Sequence, residues 1–202
     1  MRAANDNRKH RGSKGFQTRE RLLGAAVAEF KRVGLAAADV AAIASAAGVA
    51  HSTFFFHFAT KEHVLIELER REEERIARAL KRFFAGPHHV AAALKKTISA
   101  IESLEHRLGR QLFKDFLALH FSASRPPQEV WTNHPVMVAV IEELERARER
   151  GEIPENADPF YSGVFFLVGL YALLLTLPDS QEVRAPVLET YVVTTLYGMH
   201  RP

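Results

Sequence analysis

The chain has 202 residues, of which 25% are charged and 47% apolar, with no cysteine and a formal net charge of +3. Those values suit a soluble chain of one large or two small domains, and they exclude disulfides, thiolate metal sites and a cysteine nucleophile. The charge is uneven: residues 1–61 hold 10 Lys/Arg against 4 Asp/Glu, and residues 62–202 hold 17 against 20. A basic first third predicts a polyanionic partner for that third, the plainer account being a basic tail on a neutral protein. No apolar run of signal-peptide length follows the early basic residues, so a cytoplasmic protein is expected.

In chain order, residues 1–15 (MRAANDNRKHRGSKG) are polar, basic and glycine-containing, which predicts a flexible basic arm. Beyond them, sustained alternation and hairpin dipeptides are missing and helical periodicity dominates, so the fold class is all-α. A first helix over 18–32 has Leu22, Leu23, Ala26, Val27 and Phe30 in one apolar stripe, and Gly34 stops it. A second starts at the N-cap Asp39, runs through Val40, Ile43 and Ala44 to Ala47, and breaks at Gly48. A third, short helix covers 51–57. Thr60 caps a fourth over 61–84, with apolar ends and a middle, ERREEER, that reads as charged all round. Such a helix suits a connector between two packed bodies.

Five more helices are predicted over 88–104, 106–122, 135–150, 159–177 and 183–197, with a long proline-rich loop, SASRPPQEVWTNHP, after the second of them. His88 and His89 read as a polar helix start, and Glu142, Glu143 and Glu145 as a solvated helix face. The stretch FYSGVFFLVGLYALLLTL, residues 160–177, carries no formal charge and approaches the length of a membrane span. Asp158, Pro159, Pro178 and Asp179 bracket it, and no basic cluster stands beside it to orient insertion. Burial by its own domain and by a second subunit is therefore expected, with no membrane partner. Gly163 and Gly169 would let a neighbouring helix come close.

The unit DVAAIASAAGVAHSTFFFHF reads as helix, glycine turn, helix. Ile43, Ala44, Val49, Phe54 and Phe58 are spaced to share one small core, the layout of a helix-turn-helix whose second helix enters the major groove. Phe55 and Phe56 are rotated by about 100° and 200° from Phe54, which leaves them at least partly exposed. Aromatic contact with thymine methyl groups is one use for such rings. The alternative is that Phe56 folds back onto the fourth helix and reads nothing.

At this point the chain resembles the TetR family of tetracycline-repressor-like transcriptional regulators. The resemblance covers about residues 17–66, through TRERLLGAAVAEF, Gly34, IASAAGVA and STFFFHFATKEHVL. Thr53, Phe54, His57, Phe58 and Lys61 fit the family pattern. The resemblance implies a helix-turn-helix DNA-binding domain over 16–62, joined by a long helix to an effector-binding and dimerisation domain over 63–202. It implies phosphate contacts from Thr18, Thr53, His57 and Lys61, and base edges facing Ala50, His51 and Ser52. Phe55 stands where the family usually has tyrosine, and Phe56 where many members are polar. Ala50 replaces the usual N-cap serine, and Ser52 the usual glycine or proline. Ala41 and Ala42 offer no long donor, so the reading surface is unusually apolar.

The same resemblance implies a homodimer, a double-stranded DNA operator and a small-molecule effector. Candidate dimer residues are Phe166, Leu170, Leu173, Leu174, Leu188, Tyr191, Val192 and Leu196. Candidate pocket residues are Phe113, Phe116, Leu117, His120, Phe121, Trp131, Met137, Tyr161 and Phe165, which favour an apolar or aromatic effector and are otherwise plain core. Effector binding is expected to release the protein from its operator, repression being the family's commoner mode. His51, His57 and His63 are six apart, which is no helical metal spacing, and neither a phosphate loop nor a nucleophile elbow is present. No enzyme, metal or cofactor is expected. A helical ligand-binding protein that has lost DNA binding, or a membrane-associated helical protein, are the readings from other classes.

Overall fold

The computed structural model describes residues 2–122 and 134–200, with side chains from Lys14 onward. Among the described residues the elements are all helical: α1 (Arg2–Ala37), α2 (Val40–Ala46), α3 (His51–His57), α4 (Lys61–Phe84), α5 (Val90–Leu108), α6 (Arg110–His120), α7 (Pro135–Glu149), α8 (Pro159–Thr176) and α9 (Gln181–Met199). The segment read as an arm is the first part of α1. Ala3, Ala4, Arg8 and Arg11 are good helix formers, and they outweigh Gly12 and Gly15.

The chain divides into two compact units. Residues 1–70 with 108–122 form the first, and residues 71–107 with 123–202 the second. The division falls inside α4 at residue 70, and α6 joins the first unit.

In the first unit, α1 packs on both α2 and α6. Leu22, Ala26 and Phe30 of α1, Ile43 and Ala44 of α2, Phe54 of α3, Val64 and Leu65 of α4, and Leu112, Phe113 and Leu117 of α6 are fully buried. Within α1, Gly34 breaks the helix at φ 79°, a left-handed conformation that glycine adopts without a Cβ penalty. The break frees the Leu35 N–H, which donates to Asp115 Oδ2 of α6 at 2.7 Å. The Gln111 amide donates to the other carboxylate oxygen at 3.2 Å. A Cβ at Gly34 would stand 3.4 Å from Asp115 Oδ2, an ordinary contact, so the positive φ is what selects glycine there. Asp115→Ala orphans a partly buried N–H and is expected to cost about 1–3 kcal/mol. Thermal unfolding of the variant against the parent measures it.

In the second unit, α8 packs on α7 and α9. A Cβ at Gly163 would lie 2.9 Å from Ile141 of α7, and one at Gly169 would overlap the Tyr191 hydroxyl of α9. The two glycines therefore do admit close neighbours, both from the same chain. Tyr191 donates to the carbonyls of Phe166 at 2.7 Å and Phe165 at 3.1 Å.

Glu143 corrects the reading of a solvated acidic face. It is 1% exposed, because Val136, Val140, Leu144 and Ala147 place its face of α7 inward. His88 is likewise no exposed helix start. Its side chain is almost enclosed, its ring lies against Phe83 and Phe84, and its Nε2 is 2.8 Å from Glu143 Oε1. Arg146 and Arg150 donate to the same carboxylate at 2.9 and 2.8 Å. Burial pushes the Glu143 carboxyl up, but hydrogen bonds from Arg150, His88 and Arg146 outweigh it and hold the pKa below the usual carboxylate value. The folded state thus binds this proton less readily than the unfolded one. The resulting stabilisation is complete above the ordinary carboxylate pKa and is lost as the pH falls from that value through the lower folded-state pKa. Acid unfolding should show it: Glu143→Gln is less stable at pH 7 and has a shallower acid dependence than the parent.

Candidate nucleic-acid interface

The Asp39 carboxylate accepts the Ala41 N–H at 2.9 Å and caps the start of α2. Gly48, at φ 65°, makes the turn that follows, and α2 and α3 cross at 97°. That angle is the helix-turn-helix geometry. No side chain caps α3, whose N-cap position is Ala50. The helix is held instead by Phe54, fully buried, and by Phe58 just after it, whose ring lies under the Arg19 guanidinium at 4.5 Å. Arg19 is in turn 3.2 Å from Glu67 of α4. Two inward rings four residues apart fix the roll of α3, so the positions between them must face outward.

They do. Phe55 is 48% exposed and Phe56 84% exposed. Phe56 therefore does not fold back onto α4. Its ring meets the edge of His57, at 5.1 Å between centroids. Phe55 sits between Phe54 at 5.4 Å and His51 at 5.2 Å, in T-shaped contacts with both. Ala50, His51 and Ser52 are exposed at the start of α3, and Thr53 and His57 are half-buried.

Thr18 is half-buried on α1, with its hydroxyl 3.5 Å from the Arg21 guanidinium. The exposed Arg21, only 3.7 Å from where a Gly48 Cβ would stand, brings a cation to the turn of the motif. Its place three residues after Thr18, on the same face of α1, was the available signal for it. Lys61 is placed at the start of α4, but its ammonium donates to the carbonyls of Ala36 at 2.7 Å and Ala38 at 3.3 Å. The break at Gly34 leaves those carbonyls at the end of α1, where a cation satisfies them. A groove of about 440 Å³ runs between α1 and α2, lined by Arg21, Glu29, Arg32 and small residues.

The expected effector residues fall in both units. In the first, Phe113, Phe116 and Leu117 are buried core of α6. His120 Nδ1 is 2.5 Å from the buried Glu69, and Phe121 is exposed. In the second, Met137 is buried, and His134 Nδ1 is 3.2 Å from Glu73, the other inward carboxylate of the ERREEER stretch. Tyr161 and Phe165, their rings stacked at 6.1 Å, open onto an α8–α9 groove of about 420 Å³ that Asp158, Tyr191 and Met199 also line. Trp131 lies outside the described residues.

Of the expected dimer residues, Phe166, Leu170, Leu174, Leu188 and Val192 are buried within the subunit. Leu173, Tyr191 and Leu196 are half-buried. The large apolar side chains that α8 and α9 leave exposed are others: Phe160, Tyr161, Phe165 and Val168 on α8, and Val183, Val193 and Tyr197 on α9.

The capped α2, the glycine turn and the crossed α3 define a helix-turn-helix DNA-binding domain on an all-helical chain. The family profile of bacterial regulatory proteins, tetR family, matches residues 22–68. Those residues carry the DNA-binding domain of that family. The fold agrees along its length. The fatty acid degradation regulator FadR from Bacillus halodurans superposes with a TM-score of 0.66 at 19% identity, over 91% of this chain and 97% of its own. Bacillus subtilis FadR, in complex with stearoyl-CoA, gives 0.69 at 19%, over 90% and 99%. Thermus thermophilus FadR, a repressor in complex with lauroyl-CoA, gives 0.67 at 20%, over 90% and 92%. No curated protein matches in sequence.

Proposed function

We propose that this regulator acts as a homodimeric repressor of a two-fold-symmetric operator and is released from it by a small apolar or aromatic effector. The observation that carries the reading is α3. Its inward rings fix its roll, and two outward rings, Phe55 and Phe56, are left uncovered beside Ala50, His51 and Ser52. Thr18, Thr53, His57 and Lys61 take the phosphate contacts, Lys61 with the one N–H its two carbonyl partners leave over. The exposed apolar stripe of α8 and α9 supplies the dimer contact, in the manner of a four-helix interface. A dimer sets two recognition helices about 34–36 Å apart, one turn of duplex.

Effector contacts would come from the second unit, where Met137 is among the buried side chains. Because two FadR proteins of the same fold hold stearoyl-CoA and lauroyl-CoA, these are the first probes. Operator affinity measured at one fixed salt concentration, with and without lauroyl-CoA, tests the release. A coupling of about 1–3 kcal/mol weakens binding by roughly 5- to 150-fold. Equal affinities with every ligand that binds would sink it.

A second reading is a helical ligand-binding protein without sequence-specific DNA binding. The engagement of Lys61 by two carbonyls favours it, as do the alanines at 41, 42 and 46. Ligand binding without any preferred duplex separates it from the first.

A further inference from the structure

The surface that α2 and α3 offer to a duplex is unusual in what it can say to a base. Its exposed residues are Ala41, Ala42, Ser45 and Ala46 on α2, and Ala50, His51, Ser52, Phe55 and Phe56 around α3. Arginine, lysine, asparagine and glutamine, the side chains that make two-pronged hydrogen bonds to guanine or adenine, do not occur among them. His51 and Ser52 are the fully exposed polar residues of α3, and both are short.

The major groove is a pattern of donors and acceptors with one apolar feature, the 5-methyl group of thymine. A surface of methyls and phenyl rings can recognise that feature and little else. Phe56 is the most exposed large apolar side chain of the unit. Burying its ring against a methyl desolvates no polar group on the protein, so the whole gain is retained. Phe55, next to it in sequence and 48% exposed, is braced between Phe54 and His51 by edge contacts.

Resting on the reading of α3 as the recognition helix, we propose that Phe56 is a specificity-determining residue that reads thymine through its 5-methyl group. The protein then distinguishes thymine from uracil at the contacted positions. It also prefers 5-methylcytosine to cytosine there, since the methyl occupies the same place in the groove.

The test uses the full chain at one stated salt concentration. Bound sites are selected from a random duplex library. The enriched duplex is then resynthesised with deoxyuridine in place of each thymidine in turn, and with cytosine or 5-methylcytosine at the same positions. Removing a contacted methyl should weaken binding about four-fold, the worth of one buried methyl-sized group. One or two positions in each half-site should respond, and 5-methylcytosine should bind more tightly than cytosine at them. In Phe56→Ala, which removes an exposed ring and leaves the core intact, the thymine-to-uracil ratio at those positions should fall to about one. Uracil substitutions that leave affinity unchanged throughout overturn the methyl reading while the regulator stands. A ratio that survives in Phe56→Ala assigns the reading to another residue and overturns the proposal equally. A library with no enriched site removes the recognition helix itself, and the proposal with it.

Discussion

Phe165→Glu is expected to convert the protein to a monomer and to weaken operator binding by about 10²–10⁴-fold. Phe165 is 69% exposed on α8, so the substitution leaves the subunit core intact. With Tyr161 and Val168 it follows the spacing of four and three residues that makes one helical stripe, and Val193 and Tyr197 continue the apolar surface on α9. An isologous contact places such a stripe against its own copy, so one glutamate per chain buries two charges in the interface. The loss of affinity follows from the loss of bivalency, because each half-site is then bound alone. Light-scattering mass and duplex titration on the same preparation measure both effects. An unchanged dimer mass would move the interface off this face.

Arg184→Ala is expected to destabilise the second unit by about 3–5 kcal/mol, the cost of leaving one member of a buried ion pair without its partner. The guanidinium donates to both oxygens of Glu105, at 2.6 and 3.0 Å, and its Nε donates to the Pro178 carbonyl at 2.7 Å. Both side chains are almost wholly enclosed. The Glu105 carboxylate keeps the Arg184 pKa above the ordinary arginine value. Replacing both members by apolar residues, as in Glu105→Leu with Arg184→Met, removes the orphaned charge and should recover most of the loss. Denaturant unfolding of the single and double variants makes the comparison, and an Arg184→Ala protein as stable as the parent would contradict the account.

The helix-turn-helix was legible because its signals are local. Asp39 caps, Gly48 turns, and Phe54 and Phe58 face one way by simple helical phase. Other features depend on residues far apart in sequence. Nothing near Leu35 announces that its N–H finds Asp115, 80 positions away, and so nothing announced that α6 belongs with the first unit. Helix α8 defeated the assignment of faces for a different reason. It is apolar on every side, with a mean hydropathy of 1.7 over 18 residues, so periodicity cannot separate Phe166, Leu170 and Leu174, which turn inward, from Phe165 and Val168, which do not. The buried glutamates lay between these cases. Glu143 occupies a core position among Val140, Leu144 and Ala147, and Glu69 and Glu73 share a helix face one turn apart. The phase was readable, but a carboxylate in the stripe looked solvated because its partners, His88, His120 and His134, come from other elements.

Selection of bound duplexes from a random library by the purified full chain, at one stated salt concentration, tests the central claim most directly. The account predicts an enriched two-fold-symmetric site whose half-sites lie one helical turn apart, with thymines under Phe55 and Phe56. Retention that is insensitive to sequence and falls steeply with salt would contradict it, and would leave the second unit as the seat of the protein's function.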